Sequence, residues 1–123
     1  MKLTENFSLD EFASKDGSPF PDNIIPNIQR LAENLQVIRD EIGRPITINS
    51  GYRSLLHNLS IGGKPNSKHL DGIAADFVIE GISPKFVANI IEKLIAEKRI
   101  REGGLKAYDN FTHYDIRGIK ARW

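Results

Sequence analysis

Apolar residues recur at spacings of three and four along one stretch of the chain. They are Ile24, Ile28, Leu31, Leu35, Ile38 and Ile42. This spacing places them on one face of an amphipathic helix, and the Gly43 and Pro45 that follow are residues that end helices. The pattern predicts a long helix here. Residues 1–22, rich in Ser, Asp, Gly and Pro, predict an irregular N-terminal arm with at most one short helical turn.

Later segments predict a few strands and two further helices. Period-two alternation in PITINS (45–50) indicates a strand that ends just before Tyr52 and Arg53, and AADFVIEG (74–81) indicates a second strand. Three leucines in residues 54–61 allow a short helix. A Ser-Pro start and a broad apolar stripe predict a core helix over residues 83–98. Two extended runs, 105–108 and 112–116, flank an Asp-Asn turn and predict a hairpin that closes the sheet.

These elements do not alternate regularly, which favours an α+β fold over a doubly wound one. We expect a small, mainly antiparallel sheet with helices packed on one side. A chain of 123 residues suits a single domain, over residues 1–123, that buries about two thirds of its unfolded surface.

Composition excludes several function classes. A formal net charge of +1 gives no basic surface for nucleic acid. The absence of cysteine removes disulfides and thiolate ligands, so any metal must bind nitrogen and oxygen. No apolar run has the length of a signal peptide or a membrane span. We therefore expect synthesis in the cytoplasm without a signal peptide and no stable membrane association. Because few apolar residues are expected at the surface, we expect a monomer.

Two of the three histidines fall in short polar, glycine-bearing stretches. His69 and Asp76 lie seven positions apart in SKHLDGIAADF, and His113 lies in THYDIRG. A histidine and an aspartate at this spacing are weak evidence alone, but Asp76 is enclosed by apolar neighbours, and a buried carboxylate is costly unless it is paired or metal-bound. Two histidines and one carboxylate suit a zinc ion that keeps an open position for water. This set indicates a hydrolase.

Two longer motifs carry a family resemblance. The run SGYRSLLHNLSIGGKPNSKHLDGIAADF resembles the zinc D-Ala-D-Ala carboxypeptidase family, which includes phage peptidoglycan endopeptidases and vancomycin-resistance dipeptidases, with the Hedgehog domain as a structural relative. The run GGLKAYDNFTHYDIRG resembles the C-terminal motif of that family. The resemblance covers nearly the whole chain and implies a Hedgehog-like, DD-peptidase-like fold.

The resemblance implies roles for five residues. His69, Asp76 and His113 match the three ligands of one zinc ion per chain. Arg53 of the GYRS motif matches the arginine that pairs with a substrate carboxylate, and Ser67 matches a serine that hydrogen-bonds the substrate. From the residues alone, Arg53 could instead be a solvated turn residue or pair with an acidic neighbour. Ser67 could be a turn-forming residue with no contact to the substrate. His57 is interpreted as structural.

The general base is where the sequence departs from the family pattern. The family has an acidic residue three positions before the third ligand, and here that position is Asn110. Asp115 is the favoured base, because residues two apart on a strand share a face and Asp115 should project beside His113. Asp109, in the turn, is the second candidate. Asp115 has the alternative role of orienting a histidine or pairing with Arg117.

The function implied by the resemblance is a zinc peptidase that hydrolyses stem peptides of bacterial peptidoglycan. Its compact size and the missing signal lead us to expect a phage or prophage enzyme that reaches the cell wall when another factor releases it. Two alternatives remain: a zinc-containing peptidoglycan-binding module with little or no activity, and a small domain without metal.

Overall fold

The computed structural model describes residues 1–123. Its helices are α1 (Ile25–Ile42), α2 (Leu55–Ser60) and α3 (Pro84–Ala96). Its strands are β1 (Thr47–Ser50), β2 (Ala74–Val78), β3 (Gly104–Ala107), β4 (Thr112–Asp115) and β5 (Ala121–Arg122). Two 3-10 helices lie at Leu9–Phe12 and Lys68–Asp71. None of the helices has the length and apolar character needed to cross a membrane.

The five strands form one sheet in the order β1-β2-β4-β3-β5. All neighbours are antiparallel except β3 and β5, which are parallel. This confirms the α+β class and the hairpin of β3 and β4. The hairpin does not close the sheet, however, because β5 adds a further strand beyond β3. The sequence did not predict β5, since two residues are too few to show an alternation of apolar and polar positions.

Helix α1 confirms the first prediction from the apolar pattern. Its buried face consists of Ile28, Leu31, Ala32, Leu35 and Ile38. The helix ends at Gly43, which has a left-handed φ of 75° and donates its N–H to Arg39 O, as helix-ending glycines commonly do. The N-terminal arm contains a single 3-10 turn, as expected, and buries Phe7 and Phe12 in the core.

Helix α3 is held at its start by Ser83, whose Oγ accepts a hydrogen bond from Phe86 N. It packs against β3, β4 and α1. The resulting core contains 21 buried residues drawn from the arm, α1, α3, the first four strands and the segments that connect these elements.

Alternation along β2 and β4 separates this core from a polar face of the sheet. Ala75, Phe77 and Tyr114 belong to the core cluster, whereas Asp76 and His113 alternate with them and therefore project from the other face. The register pairs Asp76 directly with His113 across the two strands. The sheet thus brings together two polar residues that lie far apart in the sequence.

Candidate metal centre

His69 is positioned by the 3-10 helix Lys68–Asp71. Ser67 caps this helix, because its Oγ accepts a hydrogen bond from His69 N at 3.2 Å. The buried His69 ring places Nδ1 2.7 Å from Gly51 O. A carbonyl can only accept, so Nδ1 carries a proton, and Nε2 is the nitrogen left to bind a metal. That Nε2 lies 3.3 Å from Asp76 Oδ2.

His113 lies between two carboxylates. Its Nδ1 is 2.8 Å from Asp76 Oδ1, and its Nε2 is 2.8 Å from Asp115 Oδ2. Burial lowers the pKa of His113, but the hydrogen bonds to Asp115 and Asp76 outweigh burial and leave this pKa above its ordinary value. Burial likewise raises the pKa of Asp76, yet hydrogen bonds with His113 and His69 bring it well below its usual range. Asp76 is therefore ionised.

The predicted ligands His69, Asp76 and His113 meet in one cluster. Each offers one ligand atom, and these atoms all lie within 4.8 Å of one another. Two ligands bound at about 2.0 Å to a tetrahedral zinc ion are about 3.3 Å apart, which matches the distance from His69 Nε2 to Asp76 Oδ2. Two imidazole nitrogens and one carboxylate are also a donor set that zinc accepts while leaving one position open. The residues present fit the metal.

Asp115 lies beside His113, as strand geometry predicts, but it is fully buried. Its Oδ1 accepts from Gly104 N at 2.8 Å and from Arg117 Nε at 2.9 Å. Its Oδ2 accepts from Arg117 Nη2 at 2.7 Å in addition to its contact with His113. Burial raises the pKa of Asp115, but the hydrogen bonds with His113 and Arg117 leave this pKa well below its usual range. This arrangement matches the alternative role of orienting a histidine and pairing with Arg117.

The second candidate base, Asp109, lies in the turn between β3 and β4. It is exposed and makes no hydrogen bond, and the neighbouring Asn110 is exposed as well. Neither Asp109 nor Asp115 lines the cavity above the centre. Asp76 is the one carboxylate in the cavity wall.

Arg53 and Ser67, the predicted substrate contacts, both line this cavity. The guanidinium of Arg53 donates to Ser50 Oγ at 3.2 Å, to Asn58 Oδ1 at 3.3 Å and to Asp76 Oδ2 at 3.4 Å. The acidic neighbour considered for Arg53 is therefore Asp76, one of the three predicted metal ligands. Ser67 uses its hydroxyl oxygen to accept from His69 N, which leaves its O–H free to donate.

Asn58 is a site residue that the sequence reasoning missed. Its side chain is fully buried, accepts from Arg53 and donates Nδ2 to Lys64 O at 2.9 Å. Gly63 lies against it so closely that a Cβ there would overlap Asn58 Oδ1. The adjacent His57 is half-buried and its ring has no hydrogen-bond partner, so nothing in the structure gives it a role at the site. The only signal in the sequence was an asparagine four residues before a Gly-Gly pair.

The cavity over the centre has a volume of about 620 Å³. Beyond the five predicted residues, its lining includes Lys64, Asn66, Lys68, Tyr108, Phe111, Arg117, Ala121, Arg122 and Trp123. Trp123 stands edge-on to His113, with ring centres 5.2 Å apart, and donates Nε1–H to Tyr108 OH at 3.0 Å. Trp123 could not be predicted as a site residue from the sequence, because it belongs to no motif. The cavity can hold a short peptide beside the three ligands.

Comparisons with known proteins bear on this centre. The family model described as "Peptidase M15" matches residues 5–115. Over 43 residues, the chain is 49% identical to the zinc D-Ala-D-Ala carboxypeptidase of Streptomyces albus G; this segment is 34% of the chain and 17% of that protein. The chain therefore matches about a sixth of that relative's length. These findings confirm the family resemblance inferred from the two motifs.

Proposed function

Because the chain belongs to the peptidase M15 family, we propose that it is a zinc-dependent peptidase that hydrolyses an amide bond in the stem peptides of bacterial peptidoglycan. The observation that carries this proposal is the convergence of His69, Asp76 and His113 on one point in the wall of an open cavity. The similarity to a zinc D-Ala-D-Ala carboxypeptidase supports both the metal and the class of substrate.

The two histidines are prepared to bind a metal by the groups behind them. Gly51 O keeps the proton of His69 on Nδ1, and Asp115 Oδ2 keeps the proton of His113 on Nε2. The opposite nitrogens, Nε2 of His69 and Nδ1 of His113, are the ones that face Asp76. His113 Nδ1 would release the proton that it shares with Asp76 when a metal binds there. Zinc held there supplies Lewis acidity toward a carbonyl oxygen and toward water.

The remaining residues bind and orient the peptide. Arg53 recognises a substrate carboxylate through its guanidinium, and Ser67 donates its free hydroxyl to the peptide backbone. We assign Asp115 the role of positioning His113. Both of its carboxylate oxygens are already hydrogen-bonded to groups of the protein, and it does not line the cavity. Asp109 is then the acidic candidate for accepting a proton. It directly follows the cavity-lining Tyr108 and its carboxylate is free, and catalytic contacts often tighten only when substrate binds.

A second function is favoured by one specific observation. The cavity wall contains no carboxylate other than Asp76, as expected of a zinc-containing peptidoglycan-binding module with little or no turnover. Binding and hydrolysis must therefore be measured separately.

The test compares wild type with His69→Ala and with His57→Ala. His57 is a matched control because its ring neither lines the cavity nor makes a hydrogen bond. We expect about one zinc per chain for wild type and His57→Ala, and loss of that zinc in His69→Ala. Muropeptides incubated with each protein should release new amino groups, detected by labelling and mass spectrometry, only where zinc is bound.

The outcomes separate the functions. If the protein sediments with purified cell walls but releases no amino groups from them, the binding module would be favoured. Wild type that takes up no zinc after reconstitution would contradict both. A phage or prophage origin remains part of the leading proposal, and lysis of bacteria only after their membrane is permeabilised would support an enzyme that reaches the cell wall when another factor releases it.

A further inference from the structure

Five cationic side chains line the cavity, and carboxylates of the protein form ion pairs with only three of them. These side chains are Arg53, Lys64, Lys68, Arg117 and Arg122. Each arginine is ion-paired: Arg53 with Asp76 at 3.4 Å, Arg117 with Asp115 at 2.7 Å, and Arg122 with Glu92 at 2.8 Å. Lys64 and Lys68 form no salt bridge and no side-chain hydrogen bond. Two lysines in the cavity lining, one exposed and one half-buried, thus have no carboxylate of their own.

The backbone that carries these lysines is fixed. Asn58 Nδ2 donates to Lys64 O at 2.9 Å, and Ser67 N donates to the same carbonyl at 3.0 Å. Lys68 is the first residue of the 3-10 helix that also presents His69. Both lysines are therefore attached to the framework that positions a metal ligand and Arg53. Zinc at the centre would add further positive charge to the cavity.

We propose that Lys64 and Lys68 select a peptide carrying a second carboxylate, besides the one that Arg53 recognises. The inference rests on the proposed function, because it describes the substrate of the same site. The chemical class is an acidic stem peptide in which an internal carboxylate is free. An amidated side group at that position offers no negative charge, so the lysines discriminate against it.

The experiment uses two synthetic stem pentapeptides that differ in one group. In one, the γ-linked glutamate keeps its free α-carboxylate; in the other, that carboxylate is a carboxamide. Binding to metal-free and to zinc-loaded protein is measured by isothermal titration calorimetry, and cleavage of each peptide is followed by chromatography. The variants are Lys64→Gln and Lys68→Gln. Lys85→Gln is the matched control, because Lys85 is exposed on α3 outside the cavity and has no ion-pair partner.

We expect wild type and Lys85→Gln to prefer the free carboxylate by about tenfold at low salt. In Lys64→Gln and in Lys68→Gln this preference should be about three- to fivefold smaller than in wild type, as expected for the loss of a partly exposed ion pair. The preference should shrink as salt is raised, because the Debye length falls from about 10 Å at 0.1 M to about 3 Å at 1 M.

The outcomes distinguish this inference from the proposed function. Equal binding and equal cleavage of the two peptides would overturn the inference and leave the peptidase standing. Preferential binding without cleavage would support the inference and contradict the peptidase. A preference that survives in both site variants would overturn the role of the lysines, and failure to bind or cleave either peptide would overturn both proposals.

Discussion

On the side of the ring away from Asp76, each histidine of the centre contacts one oxygen of the chain, and these two oxygens differ in kind. Gly51 contributes a neutral carbonyl, whereas Asp115 contributes a fully buried carboxylate. A charged partner makes the imidazole a stronger metal ligand than a neutral partner does. Arg117 and Gly104 N, which both donate to Asp115, hold that carboxylate in place.

The first prediction concerns Asp115→Asn. If Asp115 is a positioning residue, the variant should bind zinc about 10- to 100-fold more weakly and should regain most of its turnover when zinc is saturating. The zinc affinity is measured by competition with a chelator, and kcat/KM is measured at saturating zinc. The same measurements on Asp109→Asn should show wild-type zinc affinity with reduced kcat.

Unchanged zinc affinity in Asp115→Asn, together with lost turnover at every zinc concentration, would instead make Asp115 the general base. Circular dichroism of both variants checks that each is folded before the comparison is made.

Sequence reasoning reached His69, Asp76 and His113 because they stand in motifs, and strand periodicity placed Asp115 beside His113. It could not show that Asp115 has no free oxygen. Gly104 N reaches Asp115 only when β3 pairs with β4, whereas Arg117 is a sequence neighbour whose pairing with Asp115 the sequence had already offered as an alternative. Trp123 was missed for a similar reason, since its contact with His113 exists only once β5 has joined the sheet.

At the scale of elements, the loop between α2 and the Lys68–Asp71 turn depends on one close contact. Gly63 leaves room for the buried side chain of Asn58, which links this loop to Arg53. The periodic helices α1 and α3 were predictable because each buries a long apolar face. This loop has no periodicity, so the sequence showed only that glycine and proline break the helix before it.

The second prediction is that Gly63→Ala disturbs the substrate side of the site more than the metal side. The added methyl group would displace Asn58, and overpacking of this kind costs about 1–3 kcal/mol in the free energy of unfolding. We expect a raised KM with zinc affinity retained, measured with urea unfolding, peptide kinetics and chelator competition. Gly62→Asn is the control, because Gly62 has a φ of 71° that asparagine tolerates and nothing within 4 Å of a Cβ. An unchanged KM in Gly63→Ala would contradict this account.

The N-terminal arm is attached to α2 through Asp16. Its carboxylate accepts from Ser54 Oγ at 2.6 Å and from Ser18 N at 3.0 Å, and Ser54 Oγ in turn accepts from His57 N at the start of α2. The hydrogen bond from Ser54, followed by that from Ser18, lowers the pKa of Asp16 well below its usual range.

The third prediction follows from the sign of this shift. A carboxyl group whose pKa is lowered by folding stabilises the folded state above its unfolded pKa of about 3.9, and this contribution is lost as the pH falls toward the folded pKa. The urea midpoint of Asp16→Asn should therefore fall less than that of wild type between pH 6 and pH 3. Asp22→Asn, which removes an exposed carboxylate without hydrogen bonds, should behave as wild type. An equal fall of the urea midpoint in Asp16→Asn and in wild type would show that other contacts hold the arm.

At the scale of the whole molecule, the centre draws its ligands from three different elements of the fold. His69 comes from a loop turn, Asp76 from β2 and His113 from β4, and the register of β2 with β4 sets two of the three ligands side by side. The sequence predicted an antiparallel sheet and the ligand residues. Their meeting depends on β4 lying next to β2, a strand order that no local pattern reveals.

The last prediction is that zinc stabilises the fold through these ligands. An ion that binds only the folded state adds about 2.7 kcal/mol to the free energy of unfolding at 100 times its Kd, which should raise Tm by about 10 °C for a chain of this size. Thermal unfolding followed by circular dichroism should show this rise for wild type and for His57→Ala, and a chelator should reverse it. His69→Ala should show no rise, because two remaining ligands bind zinc weakly. A Tm that responds equally to zinc in His69→Ala and wild type would mean that the ion binds elsewhere on the chain.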